Sequence, residues 1–554
     1  MQLNPQHLTI ANLLKGRLFR IPDYQRAYSW GSKQRKDLFD DILEVYSSGR
    51  DHFMATVVTL SGDKRNIGAE EFQTVDIVDG QQRITTLIIL LKTIENELKN
   101  ENSLMSKTKD DLSNLLIKGD EHSLVLLQTN HDSSNIFSSY LRNSIVNSEK
   151  VTTASDKNLI DAIIDCKKFV LEWNDISNGK LLDLLSTIYN KLSLVYHQIG
   201  DESIVYRVFE VLNSRGLDVK WIDKTKSQMM ALVYDHVETD SKIIAVNELK
   251  VIWQGIFRLL GLNNKLGDET LRFAGTWSNK VMPSKILSEE LASVELLSRA
   301  GTNYKTIIES ANWLSNVVEA EKKLLADVRR SAASEIIQAR FVAVAIILRN
   351  FGSKIENELL TIWEKIAFRI YGLGSGDGRT KVGDFVRLGY KIINDNLDDK
   401  VISEGLHLIG NSYKISDILE EWDDNAYEGW QKNLRYLLYR YDEFLAKESG
   451  EAINDMVWQK IWNEDASKSI EHIKPQSSNQ NWIHNIGNLT LLPPGLNSSL
   501  KDKPPKDKAN KYIEAGIKGT VYVGRTIKEN DWNKKLAKER AALIKDFIIK
   551  EWGD

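Results

Sequence analysis

Cysteine is almost missing from this chain: Cys166 is the one thiol in 554 residues. A single thiol excludes an internal disulfide framework, gives no footing for a cysteine-built zinc knuckle, and agrees with a reducing compartment. Proline is scarce as well, with eight residues, so few helices need be interrupted. No run approaches the roughly 18 uninterrupted apolar residues that a membrane helix needs. The opening MQLNPQHLTIANLLKG lacks the basic-then-apolar layout of a secretion signal. Neither sign of charge dominates. A net charge of −4 excludes a protein that coats nucleic acid by bulk charge, so any DNA contact must be local. No Walker GxxxxGK[ST] loop, internal repeat, low-complexity tract or long heptad seam is found. What remains is a cytoplasmic globular protein, mostly α-helical, and its length sets an expectation of two to four domains.

The densest chemistry lies near the carboxy terminus, in EHIKPQ followed by IGNLTLLPPGLNSSL and a lysine-rich run. Hydrolysing a phosphodiester requires a base for water, a hard cation at the phosphate, and oxygen ligands that leave that cation open positions. His472 suits the base, Glu471 and Asn497 offer oxygen to Mg²⁺ or Mn²⁺, and Asn488 suits a brace. Ser469 to Ile473 reads as a short strand stopped by Pro475, and Asn488 to Leu492 as a second. Pro493-Pro494-Gly495 then turns the chain into a short helix carrying Asn497. This strand, strand, helix finger resembles the HNH (ββα-metal) nucleases, in the variant whose last ligand is Asn; Glu471 stands where Asp is commoner. His484, twelve residues after His472, reads as a surface or substrate-facing residue. The run KDKPPKDKANK holds five lysines against two aspartates. It is either a solvated loop or a phosphate-contacting surface through Lys501, Lys503, Lys506 and Lys508.

Three strings mark the amino-terminal part. IPDYQRAYSW contains Tyr24, Gln25 and Arg26 and precedes a helix with Leu38, Ile42 and Val45 on its apolar face. TVDIVDGQQRITTLIILLKTIENEL is a strand from Thr74 to Val78, a turn at Asp79-Gly80, and a helix whose apolar positions are 84, 87, 88, 91 and 94. A strand, glycine turn and helix start is a place where proteins hold phosphates, on unpaired N–H groups and the positive end of the helix. Arg83, after Gln81 and Gln82, could add a bidentate contact. On residues alone, a phosphate cradle and a plain helix cap both remain open. The third string, VFEVLNSRGLDVKWIDKTKSQMM, reads as a helix ended by Gly216, with Asn213 and Arg215 at that end and a following helix carrying Asp223 and Lys226.

Taken in order, IPxYQRxYxW, DGQQRxTTL and FExLNSRGLxxxxxDxxK resemble the amino-terminal module of the GmrSD-type modification-dependent (type IV) restriction endonucleases, a ParB-like nucleotide-binding fold. The EH…GNLTLL…N pattern resembles their nuclease module. The resemblance covers roughly 1–235 and 430–554. It implies nucleoside triphosphate binding and hydrolysis at Asp79, Gly80, Gln81, Gln82 and Arg83, with Tyr24, Gln25, Arg26, Asn213 and Arg215 near the same cleft. It further implies a nucleotide-regulated DNA endonuclease of prokaryotic antiphage defence that cuts or nicks modified foreign DNA. A nucleotide-dependent DNA-binding regulator with a weak nuclease module is the alternative, and a homo-oligomer is left open.

The expected architecture is mostly α with α+β end modules: a ParB-like domain over 1–235, a helical connecting domain over 236–430 and an HNH-like nuclease domain over 431–554. Within the middle, apolar periodicity runs from Lys305 to Asn350 through Ile308, Trp313, Val317, Leu324, Val328, Ile336, Phe341 and Ile346. Tyr371 to Arg379 reads as a flexible glycine-rich linker or hinge. In the tail, Trp532, Leu536, Arg540, Leu543, Ile544 and Trp552 are expected to pack back on the finger.

Overall fold

The computed structural model describes residues 5–22, 25, 27–99, 102–118, 124–128, 135–176, 180–200, 220–263, 265–333, 335–420 and 425–553. Tyr24, Arg26, Asn213, Arg215 and the helix end at Gly216 lie outside the described residues. The chain is mostly helical with a small mixed sheet and folds as two compact units, Met1–Asn279 with Leu287–Glu319 and Lys280–Ile286 with Ala320–Asp554. Residues 236 to 430 are therefore shared between the two units. No helix among the described residues is long and apolar enough to cross a membrane.

The first unit is built on six strands: β1 Gln6–Thr9, β2 Arg17–Ile21, β3 His52–Ile67, β4 Glu70–Asp79, β5 Leu126–Gln128 and β6 Leu192–Ile199, in the order β1-β6-β3-β4-β2-β5. β3 and β4 form an antiparallel hairpin, whereas β4 with β2, β2 with β5 and β3 with β6 run parallel. In β4 the run Val75, Ile77 and Val78 is fully buried, as expected of a strand covered on both faces. The helix that follows, Gln81–Glu97, is also buried nearly all round. The expected apolar positions Ile84, Leu87, Ile88, Leu91 and Ile94 are all in the core, and so are Ile89 and Leu90. The Ser32–Ser48 helix places Leu38, Ile42 and Val45 inward, and Phe39 stacks on Phe169 of the Ala154–Ile176 helix at 4.4 Å.

In the second unit two strands, β7 Ile470–His472 and β8 Leu489–Leu491, pair antiparallel and are surrounded by helices. The Ser353–Ala367, Gln431–Glu448 and Lys534–Trp552 helices are joined by a buried ionic network. Glu364, with no exposed surface, accepts from Tyr436 Oη at 2.5 Å and Arg440 at 2.8 Å, while Arg440 also reaches Glu551 at 2.7 Å.

In the middle, Ile308, Val317, Leu324, Phe341 and Ile346 lie in the core as the periodicity predicts, on the separate helices Tyr304–Ala326 and Ile337–Leu348, while Val328, just after the break at Asp327, is exposed. One expectation there needs correction. The glycine-rich stretch is pinned rather than a loose linker. The amides of Gly374 and Gly376 donate to the carbonyls of Arg369 and Ile370, both at 2.9 Å, and the Gln338 amide donates to the carbonyls of Gly378 and Thr380. The tail behaves as expected except at Leu543, which points to solvent.

Candidate functional site

The carboxy-terminal finger forms as its sequence suggests. β7 and β8 align Ile470 with Leu491, Glu471 with Thr490 and His472 with Leu489. One further bond at each end, Ile473 N to Asn488 O and Leu492 N to Ser469 O, both 2.9 Å, extends the ladder. Pro494 then starts the Pro494–Leu500 helix, since its fixed φ and missing N–H suit a first helical turn.

Asn488 is the brace. Its amide is fully buried and makes four hydrogen bonds: Oδ1 accepts from Lys474 N (2.9 Å) and Trp532 Nε1 (3.0 Å), and Nδ2 donates to the carbonyls of Lys474 (3.1 Å) and Ile483 (2.8 Å). These bonds fix the chain leaving His472 to the start of β8. The Lys534–Trp552 helix closes the same turn from behind. Arg540 Nη1 donates to the carbonyls of Leu489 (2.6 Å) and Gly487 (3.0 Å), and a Cβ on Gly487 would meet the Ala537 carbonyl at 1.8 Å. Only glycine fits there.

His472 is buried, and burial, the neighbouring His484 and then Lys508 push its pKa down from 6.5 to about 3. It is therefore a neutral imidazole with an unprotonated ring nitrogen, and the same burial weakens its hold on a proton. Its Nε2 lies 3.1 Å from His484 Nδ1. Gln476 Nε2 is 3.3 Å from both ring nitrogens, so it commits to neither. Tyr427 sits edge-on to His472 at 4.7 Å and lies flat against His484, with ring centroids 5.3 Å apart and planes 7° apart.

Glu471 is clamped from the next helix. Lys508 and Tyr512 are one turn apart on the Pro505–Ile513 helix, and Lys508 Nζ and Tyr512 Oη each reach Glu471 Oε1 at 2.7 Å. Lys508 Nζ also donates to the His472 carbonyl at 3.0 Å. Burial raises the Glu471 pKa while Lys508 opposes that rise. Lys508 is thus taken out of the solvated lysine set, because its amine has no exposed surface and is spent on the finger. Lys501 and Lys503 are exposed, and Lys506 is exposed but paired with Asp531 at 2.6 Å. Asn497 donates from Nδ2 to the carbonyls of Lys468 (2.8 Å) and Ile470 (3.2 Å), next to Glu471.

Two side-chain oxygens of the finger are of the type a hard cation prefers. Glu471 Oε2 and Asn497 Oδ1 have no protein partner among the described residues, and both are oxygens, as Mg²⁺ and Mn²⁺ prefer. Among the described residues no group of three or more His, Cys, Asp or Glu is placed to hold a metal ion.

In the first unit, Gly80 carries the turn after β4 at φ +93°, packed so that a Cβ would meet Val57 at 2.8 Å. The first intrahelical bond is Ile84 N to Gly80 O at 3.0 Å, so the amides of Gln81 to Arg83 open the helix without an intrahelical acceptor. Gln82 is used internally: its Oε1 accepts from Ser29 N (2.8 Å) and its Nε2 donates to the Ala27 carbonyl (3.1 Å). Gln25 similarly ties its strand-side loop to the Val78 carbonyl at 2.6 Å, and Lys226 reaches the Gln25 carbonyl at 3.3 Å. Gln81 Oε1 is buried and has no hydrogen-bond partner among the described residues. Arg83 lies over the Trp30 ring at 5.8 Å, with Asp79 and Asp41 as its nearest opposing charges; its pKa is lowered, chiefly by burial.

The sequence reading assigned neither Tyr427 nor Tyr512, gave His484 and Lys508 to the surface, and expected Trp532 and Arg540 to pack on the finger without naming what they hold. Lys508 and Tyr512 carried a readable signal, a four-residue spacing on a helix opened by Pro504-Pro505. Tyr427 carried none, lying 45 residues before His472. Comparison with family models places residues 10–230 in the amino-terminal domain of GmrSD restriction endonuclease and residues 415–546 in the carboxy-terminal domain of GmrSD restriction endonucleases. A search of curated proteins returned no match. The two domain matches cover both candidate sites, Tyr427 included, and the chain belongs to the GmrSD restriction endonuclease family.

Proposed function

We propose that this restriction endonuclease hydrolyses DNA phosphodiesters in a metal-dependent reaction on the ββα finger, with His472 as general base, and that nucleotide bound in the first unit regulates cutting. The observation that carries the reading is the neutral, buried His472 beside Glu471 on a strand braced by Asn488. His472 takes the proton of the attacking water at a ring nitrogen. Glu471 and Asn497 would hold Mg²⁺ or Mn²⁺, which when bound supplies charge to offset that building on the phosphate. The anionic substrate itself raises the proton affinity of His472, since a nearby negative charge favours imidazolium. Lys501 and Lys503, exposed after the Asn497 helix, suit contacts to the DNA backbone.

For the first unit, the support is the strand, glycine turn and helix start with Arg83 over the Trp30 ring. A triphosphate would meet the amides of Gln81 to Arg83, which have no intrahelical acceptor, and the Arg83 guanidinium. Gln82 and Gln25 would act by shaping this turn. Modified phage DNA is the preferred substrate that the resemblance to modification-dependent restriction endonucleases implies.

The test is one cleavage matrix: unmodified plasmid and glucosylated, hydroxymethylated and phosphorothioated DNA, in Mg²⁺ or Mn²⁺, with and without each triphosphate. The reading requires metal-dependent cutting that responds to nucleotide and is lost in His472→Ala. Tight nucleotide-dependent DNA binding with no cutting on any substrate would replace it with a DNA-binding regulator. Asn497→Ala should weaken metal binding, so that excess Mn²⁺ restores part of the rate.

A further inference from the structure

The base reading leaves one question of chemistry: which ring nitrogen of His472 carries its proton. A neutral imidazole can serve as base only at the nitrogen without a hydrogen, and what the other nitrogen donates to decides which that is. Nε2 has one well-placed partner, His484 Nδ1 at 3.1 Å, because Gln476 sits equally far from both nitrogens.

Resting on the base assignment above, we infer that His484 is a positioning residue: its Nδ1 accepts the His472 Nε2–H, holding the tautomer that leaves His472 Nδ1 bare for water. Three features support this direction. His484 is itself held in plane, stacked on Tyr427 at 7° between rings, and its carbonyl accepts Ala426 N at 3.0 Å. A fixed plane aims the Nδ1 lone pair. His484 Nε2 has no protein partner among the described residues and the side chain is partly exposed, so placing the His484 proton on that nitrogen gives it to water and leaves Nδ1 to accept. The reverse arrangement would donate into His472 Nε2 and put the proton on Nδ1, toward the Gln476 amide nitrogen 3.3 Å away, which offers no acceptor. When His472 takes a proton from water, the shared hydrogen bond gains strength because its donor becomes charged. No group is oxidised or reduced; one proton moves from water oxygen to His472 Nδ1.

The test separates this role from a structural one and from the base assignment. His484→Ala should lower kcat about 10- to 100-fold, the scale for residues that orient a working imidazole, while KM for supercoiled plasmid in Mn²⁺ and the thermal unfolding midpoint stay near wild type. His484→Asn, which keeps an acceptor near the Nδ1 position, should recover most of that loss. Histidine ¹⁵N spectra of the whole protein should show His472 protonated at Nε2 in wild type and in His484→Asn, and mixed in His484→Ala. Wild-type kcat in His484→Ala, an equal loss in His484→Asn, or a raised KM with unchanged kcat would overturn the inference. His472→Ala is the separating arm: if that variant still cuts, the base assignment fails, whereas loss of cutting there with full activity in His484→Ala sinks only the positioning role. Should wild type cut no substrate, a His472 carrying its proton on Nδ1 overturns the inference directly.

Discussion

The finger and the DGQQR turn solve a similar problem in opposite ways. In the finger, the groups near His472 come from the strands, from the helices folded over them and from Tyr427 in a bend 45 residues earlier, and those that hold the strands are closed in: Asn488 and Lys508 are fully buried. At the turn, Arg83 is half-buried against Trp30, and the amides of Gln81 to Arg83 begin the helix without intrahelical acceptors. A parallel runs beneath the difference. At each place the motif's amide, Asn488 or Gln82, is consumed by the fold, while the adjoining titratable or charged side chain is left for chemistry. A motif residue is thus no guide by itself to which atom meets a ligand. Burial keeps His472 neutral, whereas a half-buried guanidinium such as Arg83 keeps its charge for an anion.

The largest expected effect is in the finger. His472→Ala removes the proposed base and should slow cutting roughly 10²- to 10⁴-fold, read by plasmid nicking; nucleotide binding should be unchanged, and loss of both together in folded protein would break the separation. Lys508→Met strands the buried Glu471 carboxylate and should cost about 3–5 kcal/mol in denaturant unfolding. A loss under 1 kcal/mol would mean that the clamp is no more than a surface ion pair. At the turn, Arg83→Ala should weaken triphosphate binding about 10- to 150-fold through loss of roughly 1.5–3 kcal/mol, measured by calorimetry. Gln82→Ala should instead leave Ser29 N and the Ala27 carbonyl unpaired, costing about 1–3 kcal/mol of stability, with nucleotide affinity falling only as the turn loosens. If Gln82→Ala abolishes binding at full stability, the contrast between amide and charge is wrong.

The smallest effect concerns pH. Because burial depresses His472 from 6.5 to about 3, the folded state binds fewer protons than the unfolded chain between those values. Its stability is present above about pH 6.5 and drains as the pH falls toward 3. Unfolding measured from pH 7 to 4.5 should decline less steeply in His472→Gln than in wild type.

How much of this was legible in sequence varied with the kind of signal. Period and punctuation carried the β4, Gly80 and helix arrangement, since strand, glycine turn and apolar helix each leave a local mark. The finger was legible for the same reason, down to Pro494 at the helix start. Partners supplied from far along the chain were not. Lys508 looked like one more solvated lysine until its helix folded over β7, and His484 looked like a surface residue until Tyr427 stacked on it. The pinned glycine loop was misread because Gln338, about forty residues earlier, holds it. Val328 alone turned outward, because a one-residue helix break at Asp327 leaves the apolar count intact, while Phe341 and Ile346 beyond it are buried as expected.

The fit of Gly487 under Ala537, with Arg540 gripping the same turn, bears on how the nuclease would be dissected. A fragment ending before residue 534 would retain each of Glu471, His472, Asn488 and Asn497, yet lack the wall that shapes the loop between the strands. Such a fragment would look complete on paper and be dead in the tube. By the same logic, a bulky graft onto the inward face of the Lys534–Trp552 helix would act as a remote off-switch, silencing the scissors without touching the blades.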